Sequence, residues 1–407
     1  MLDRLTIERM RWAAGETPVL VALSGGGDST ALLHLLVAEF GADGVRAAIV
    51  DHALREGSAA DAARAKGVAD ALGVQAEILT LTWPEGSNRA QQAARDARYA
   101  KLCAYAREQG IKLIAAGHNA DDQAETVLMR AANGSSWRGL AGIAALSFAP
   151  IWPEGRGIVL ARPLLGVRRD KLRAYLAARD AQWIEDPANV NPAYERVRVR
   201  RHLSELAERG FDSLRLARLA VRLRARADQL DRAALALIET AAMIRDDILI
   251  LHSAWTAPDE VRRRALAVLI AAVAGASREP PSSDMDVIEP RVMSRDHRGS
   301  THSGVAFEPV AGGLVLKREA AAIIGRASGA AALPALPLLP NVETTWDGRY
   351  AVTARVPGLR VVPAANGRFT VLSDGEACDA AEYVSVRPLA AERVAHAFAP
   401  DINRAKP

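Results

Sequence analysis

The run Leu23-Ser24-Gly25-Gly26-Gly27-Asp28-Ser29 carries the strongest chemical signal in this chain. Three consecutive glycines let backbone N–H groups close on a phosphate, and a helix N-terminus behind them adds partial positive charge. No lysine follows the glycines at the spacing of the common NTPase loop. An aspartate stands there instead. A bare carboxylate would repel phosphate, so Asp28 makes sense where a Mg²⁺ ion bridges it to phosphate oxygens. The plainer alternative is a glycine turn in which Asp28 and Ser29 only cap a helix.

Other groups of suitable chemistry fall at comparable places. Asp51 and His52 close an apolar run at 45–50, and His118, Asp121 and Asp122 follow another at 111–116. All lie at strand-to-helix turns on the side of the sheet that bears the glycine loop, which gathers them at one cleft. Singly, Asp121 or Asp122 could be a helix cap and His52 a satisfied turn histidine. Arg95 and Arg98 stand three apart on one helical face and can reach the same anion, unless both are solvated. Further on, Arg196, Arg198, Arg200 and Arg201 begin an arginine ladder that continues at 209, 215, 218, 222, 224 and 226. The acids among them (Glu195, Glu205, Glu208, Asp212) are outnumbered, so one face should be positive and suit a phosphate backbone. A simple amphipathic surface helix gives the same pattern.

These residues need a frame. Short apolar runs at 18–23, 45–50, 74–81 and 111–116 alternate with helical stretches at 28–40, 58–72 and 89–109. Gly73 and Gly110 sit where helix C-caps are expected. Runs apolar on both faces and separated by helices imply a doubly wound α/β domain with a parallel sheet, whose ligands sit at the carboxyl ends of strands. The alternation weakens through 158–163 and a helix at 168–179. Arginine- and leucine-rich helices then run over 194–232, and alanine-rich ones to about 276. A hairpin is expected over 305–318, turning at Ala311-Gly312-Gly313, then a proline-bearing linker at 331–340 and a small β-rich segment over 341–385. The expected division is a catalytic domain at 1–210, a helical domain at 211–328 and a small C-terminal domain at 335–407.

A chain of 407 residues calls for two or three domains, and 50% hydrophobic with 25% charged residues is globular composition. A net charge of +4 and a pI near 9.2 permit a polyanionic partner without demanding one. Two distant cysteines, Cys103 and Cys378, argue against a disulfide framework or a structural zinc site and fit a reducing cytoplasm. The first residues carry acids and lack an apolar core, so they read as no signal peptide, and the longest apolar stretch, 265–276, is too short for a membrane span.

The pattern at Ser24–Ser29 resembles the pyrophosphate-binding signature of the N-type ATP pyrophosphatases, which marks a reaction half, ATP to AMP and pyrophosphate, but not the acceptor. Four further segments resemble the tRNA(Ile)-lysidine synthetase family. They are Val50-Asp51-His52-Ala53-Leu54-Arg55; Ala94-Arg95-Asp96-Ala97-Arg98-Tyr99; Gly117-His118-Asn119-Ala120-Asp121-Asp122-Gln123-Ala124-Glu125-Thr126; and Arg162-Pro163-Leu164-Leu165, followed by Glu185-Asp186-Pro187-Ala188-Asn189 and Arg196-Val197-Arg198-Val199-Arg200. They occupy about the first half of the chain, in the family's order. Val197 stands where asparagine is usual and Ala188 where serine is typical. The C-terminal half matches only loosely.

The resemblance implies that the wobble cytidine of a tRNA(Ile) with a CAU anticodon is adenylated by ATP and then joined to free L-lysine. It implies Ser24, Gly25, Gly26, Gly27, Asp28, Ser29, Asp51, His52, Arg95 and Arg98 for ATP; Asp28 for Mg²⁺; and Asp28, His118, Asp121 and Asp122 for catalysis. Arg162, Arg196, Arg198 and Arg200 are implied for tRNA. It further implies a cytoplasmic enzyme with no membrane partner, and leaves a homodimer open. A tRNA thiolase would need catalytic cysteines that the spacing of Cys103 and Cys378 does not provide. A small-molecule ligase would not need the arginine ladder. An RNA-binding protein without activity would not need the acids.

Overall fold

Strand β1 (Val19–Ala22) is apolar at every position, and its side chains alternate between two cores. Val19 and Val21 pack on one face of the sheet, and Leu20 on the other. The same period of two places Val45, Ala47 and Ile49 of β2 (Val45–Asp51) opposite Ala48. A strand buried on both faces must be covered by helices on both, and that is the arrangement found. These features come from a computed structural model that describes residues 1–53, 56–83, 91–185, 195–325 and 331–398. Leu54, Arg55, residues 186–190, Pro192 and the segment from 399 onward lie outside the described residues.

The first elements, in chain order, are α1 (Arg4–Ala14), β1, α2 (Gly27–Phe40), β2, α3 (Ser58–Ala71), β3 (Gln75–Thr80) and α4 (Gln91–Glu108). There follow β4 (Leu113–Ala115), α5 (Ala120–Ala132), β5 (Leu146–Phe148), β6 (Val159–Ala161), α6 (Arg169–Ala177), α7 (Glu195–Glu208) and α8 (Ser213–Ala241). The sheet order is β3-β2-β1-β4-β6-β5. All neighbouring pairs are parallel except the edge pair β5–β6. The expected doubly wound sheet is therefore present, with an antiparallel edge strand added. Helices α1, α2, α3 and α6 cover one face and α4 the other. Leu20, Ile114 and Leu160 are fully buried at the sheet centre. Each such side chain contributes about 1.5–3 kcal/mol, so the strands form a rigid base for the loops at their ends. Gly73 and Gly110 have φ of 69° and 68°, as helix-terminating glycines should.

The strand order reverses between β1 and β4. The chain winds outward from β1 through β2 to β3, then crosses to β4 and winds the other way. The carboxyl ends of β1 and β4 lie side by side at this reversal, the usual ligand position in such a sheet. The glycine run leaves β1 and the His118 segment leaves β4.

Close contacts divide the chain into two compact units, Met1–Asp228 and Gln229–Phe398. In the second, a five-stranded antiparallel sheet has the order Ala242–Ile244, Ile248–Leu251, Gly313–Arg318, Val305–Val310, Ser300–His302. The hairpin over 305–318 pairs Val310 with Gly313 across a two-residue turn. The buried helix Asp259–Ala274 packs on this sheet and includes all but the last two residues of the apolar stretch at 265–276. Among the described residues beyond 331, seven short strands form two small sheets around Trp346, Tyr350 and Val361. Among the described residues no helix is long and apolar enough to cross a membrane.

Candidate active site at the sheet switch point

Gly25 gives the loop its shape. Its φ is +79°, and a Cβ there would lie 2.6 Å from Ile184 Cδ1 and 3.0 Å from Ala65 Cβ. Its carbonyl accepts a hydrogen bond from the Ile184 N–H at 2.9 Å. Ser29 braces the loop from inside: its Oγ accepts from the Ser24 N–H, donates to the Gly26 carbonyl and meets Ser24 Oγ at 3.0 Å. Gly26 is the N-cap of α2, with no side-chain hydrogen bond to the helix end. The first N–H groups of α2 are thus left for an anion, and neither Asp28 nor Ser29 fills the capping role.

The two glycines should respond differently to alanine. Gly25→Ala adds a Cβ in a left-handed conformation, at a cost of about 1–2 kcal/mol, and pushes on Ile184. It should lower both Tm and nucleotide affinity. At Gly26, φ is −72° and an added Cβ meets only Ser24 Oγ, at 3.6 Å. Gly26→Ala should therefore keep the parental Tm while weakening ATP binding, because the methyl occupies space a phosphate needs. Thermal denaturation and ATP titration of the two variants check this; equal behaviour would refute it.

Gly117, at the end of β4, touches the loop directly: a Cβ there would meet Ser29 N at 2.9 Å and the Asp28 carbonyl at 3.0 Å. Only glycine lets the two strand-end loops come this close. Behind it, Asn119 caps α5, accepting from the N–H groups of Asp121 and Asp122 at 2.9 and 3.0 Å. Asp122 Oδ2 completes a capping box by accepting the Asn119 N–H at 3.0 Å. The capping alternative for Asp122 is therefore real, but it uses one oxygen only. The other faces the site.

Arg169, the first residue of α6, joins the pieces. Its Nε donates to Asp28 Oδ2 at 3.1 Å, one Nη donates to Asp122 Oδ1 at 3.1 Å, and the other lies 3.6 Å from Glu125 Oε1. Arg200 donates to the same Glu125 oxygen at 2.6 Å. Three carboxylates and two guanidinium groups thus leave a formal charge of −1. Burial raises the pKa of Asp28, against the lowering effect of Arg169 and with help from Asp122. Burial also raises Glu125, whose side chain is 1% exposed. For Arg169 the three acids overcome burial and raise its pKa. Two buried carboxylate oxygens of this group, Asp28 Oδ1 and Glu125 Oε2, have no hydrogen-bond partner.

Asp121 is turned elsewhere. Its Oδ2 accepts the Arg169 backbone N–H and its Oδ1 the Ser213 hydroxyl, both at 2.8 Å, so it ties α5 to the starts of α6 and α8. Asp51 is buried and accepts the Ala53 N–H at 2.9 Å in a tight turn. The His52 carbonyl accepts from Trp83 Nε1 at 2.7 Å, and burial and Arg98 lower the pKa of its ring. His118 is pushed down to about 2 by burial, then by Arg162, Arg98, Arg95 and Arg196. It is a neutral imidazole at any working pH, so it can accept or donate a hydrogen bond but cannot serve as a cationic acid.

Of the residues singled out for RNA, Arg196 and Arg198 are exposed on α7. Arg200 points inward to Glu125, and Arg162 is 5% exposed. Reading the sequence did not single out Arg169 or Glu125. Glu125 was within reach, three residues after Asp122 on one helical face. Arg169 gave no local signal, because nothing in residues 168–170 says that a helix start will swing across to the crevice.

A parallel sheet with a glycine loop and acids at its switch point defines a nucleotide-binding α/β domain, and the PP-loop domain family matches residues 4–207. Relatives called tRNA(Ile)-lysidine synthase align well beyond that domain. The protein of Hyphomonas neptunium is 40% identical over 302 residues, 71% of this chain and 78% of its own length. That of Ruegeria pomeroyi is 38% identical, covering 70% and 67%. That of Rhizobium meliloti is 36% identical, covering 86% and 76%. The chain belongs to the tRNA(Ile)-lysidine synthase family.

Proposed function

We propose that this protein joins lysine to C2 of the wobble cytidine of tRNA(Ile) with a CAU anticodon, using ATP and forming lysidine. One observation carries the reading. The glycine loop with its open helix N-terminus and the carboxylates of Asp28, Asp122 and Glu125, joined by Arg169, share the switch point, so a nucleotide and an amine have adjoining places. In the first step O2 of the cytidine attacks the α-phosphate of ATP, the bond to pyrophosphate breaks, and the base becomes adenylated. The N–H groups at the start of α2 stabilise charge on the departing pyrophosphate. In the second step the lysine ε-amine attacks C2, the C–O bond breaks and AMP leaves.

Asp28 Oδ1 is a buried, anionic oxygen without a partner, which fits a cation. A Mg²⁺ ion held there and by phosphate oxygens would neutralise phosphate charge. Free lysine, with a side-chain pKa of about 10.4, arrives as an ammonium and must lose a proton before it attacks. The residual charge of −1 on the acid group favours that ammonium, and Asp122, whose Oδ1 shares Arg169 with Asp28, is assigned to orient it and take the proton. Asp121, whose oxygens accept from the Arg169 backbone and Ser213 and not from the side chain that holds Asp28, positions α6 instead. Accordingly Asp122→Asn should cut lysine transfer by about 10²–10⁴-fold with a small effect on tRNA-dependent pyrophosphate release without lysine. Asp121→Asn should mainly lower Tm. The reverse pattern in lysine-transfer kinetics and melting would exchange the two roles.

The cysteines do not support thiol chemistry. Cys103 is fully buried on α4, and burial pushes its pKa up to about 12, so it stays an unreactive thiol. Cys378 is half-buried in the second unit, with its thiol directed to the Val371 carbonyl. The helical segment 211–328 and the segment from 335 onward are assigned to holding the tRNA body.

The test is incubation with ATP, Mg²⁺, radiolabelled lysine and a tRNA(Ile) transcript bearing CAU, beside a tRNA(Met) control. Lysine is expected in the first RNA alone. AMP and pyrophosphate release without lysine incorporation would keep the adenylation half and point to a different acceptor.

A further inference from the structure

Arg95 and Arg98 read from the sequence as nucleotide ligands and Arg162 as an RNA ligand, yet the fold packs all three around one tyrosine. The guanidinium carbons of Arg95 and Arg98 lie 5.2 and 5.3 Å from the Tyr99 ring centre. Arg162 donates to the Ala144 carbonyl and Ser147 Oγ at 2.8 and 3.1 Å, while its buried Nε has no acceptor. Two more arginines join them. Arg130 donates to the Gly139 and Gly142 carbonyls at 2.7 and 2.9 Å, and Arg224 to the Gly142 carbonyl at 3.1 Å. The Nε atoms of Arg98 and Arg224 and Nδ1 of His118 are also buried without partners. Burial, then Arg224 and Arg95, lower the pKa of Arg130; burial lowers that of Arg162, Tyr99 opposes it, and Arg95 and Arg224 add to the lowering. Desolvated cations that face one another with unmet donors cost free energy, which an anion among them would recover.

We propose that Arg95, Arg98, Arg130, Arg162 and Arg224 form one anion site that takes a phosphodiester of the RNA strand next to the reacting nucleotide. The ligand class rests on the tRNA reading above. Two observations favour an RNA phosphate over a phosphate of ATP. Phosphates of the nucleotide already have the open N–H groups at the start of α2. The cluster also runs on to the exposed Arg196 of α7, whose charge reaches His118, so a backbone can pass from the solvent-facing arginines to the crevice. Planar guanidinium groups with free Nε atoms match phosphate oxygens, and such contacts fix the register of a strand rather than its sequence.

The experiment measures binding of the full-length protein to a CAU anticodon stem-loop RNA across a salt series, without ATP. ATP binding is measured separately without RNA. Arg98→Gln, Arg224→Gln, Arg162→Gln and Arg162→Lys are compared, with folding followed by thermal denaturation. Each glutamine variant is expected to weaken RNA binding by about tenfold or more, since a charged hydrogen bond is lost. It should also reduce the slope of log K against log salt by about 0.7–0.9. ATP affinity should not change, and Arg162→Lys should restore most of the slope. Should Arg162→Gln fail to fold, the half-buried Arg224 and the charge-keeping lysine variant still decide. Loss of ATP affinity with an unchanged RNA slope would make this a nucleotide subsite and overturn the proposal. Unchanged binding of both ligands would make the cluster structural and overturn it equally. A stem-loop of unrelated sequence, run in parallel, should lose the same slope. Lysine incorporation that fails while the slope effect persists would remove the lysidine reading and leave the RNA site standing.

Discussion

Asp28→Asn is expected to lower ATP-dependent lysine incorporation by about 10²–10³-fold, the usual scale for losing one electrostatic contact to a developing charge. It should do so without unfolding the protein. The carboxylate has one buried oxygen without a partner, and burial and Asp122 raise its pKa while Arg169 lowers it. A group whose folded-state pKa is raised supports the fold when protonated and opposes it as pH rises through that pKa. At neutral pH the ionised Asp28 is therefore a cost to stability, and neutral asparagine of the same shape removes it. Arg169 still has Asp122 and Glu125. The pairing of lost activity with an unchanged or higher Tm marks a functional carboxylate, since active sites commonly trade stability for function. Single-turnover AMP release and a melt at pH 7 read both quantities. A parental rate would take Asp28 out of the reaction, and a Tm drop matching the rate loss would make it structural.

Arg169→Gln should have the second-largest effect, and it should depend on pH in a defined direction. Removing one partner of a buried ion pair leaves uncompensated charge and costs about 3–5 kcal/mol. Here the loss is shared by three acids, with only Arg200 left on Glu125. The pKa values of Asp28 and Glu125, already above their ordinary 3.8 and 4.5, rise further once the neighbouring cation is gone. Raised folded-state values mean that stability is retained below the ordinary carboxylate pKa and lost as pH rises through the raised ones. The deficit relative to the parent should be small near pH 4 and fully developed at neutral pH. The acid limb of the rate profile should move to higher pH, because the carboxylates ionise later. Arg169→Lys keeps the charge but loses the fork, and should recover stability more than rate. Denaturant unfolding and rate profiles over the same pH range test this. A deficit that is constant in pH would show that Arg169 supports α6 by packing alone.

How far these conclusions were legible in the sequence differs from place to place. Local backbone demands are written locally. Three glycines ahead of a buried helix announce a loop that closes on phosphate, and Gly25 indeed has the positive φ that only glycine adopts without strain. Continuous apolar runs such as Val19–Ala22 state that a strand is buried on both faces, and hence that the sheet is covered by helices on both sides. The switch point follows from this order of elements. For the same reason the gathering of Asp28, His118 and Asp122 at one end of the sheet could be read before any coordinates, because strand ends are where such a fold exposes side chains.

Tertiary structure alone decided where each acid points. Asp121 and Asp122 are neighbours with the same side chain. One helical step, about 100° of rotation, sends the first toward Ser213 and the start of α6, and the second toward Arg169 and Asp28. No rule of spacing separates them, because the difference lies in what stands opposite. Arg200 reads as a member of an arginine ladder and Arg169 carries no local signal, and their acidic partners are 141, 47, 44 and 75 residues away in the chain. The clustering of Arg95, Arg98, Arg130, Arg162 and Arg224 is likewise invisible in one dimension. Sequence determined the elements and the loop chemistry, because those depend on residues within a few positions of one another. Charge pairing and burial depend on the packing of distant segments, and only the folded chain brings those together.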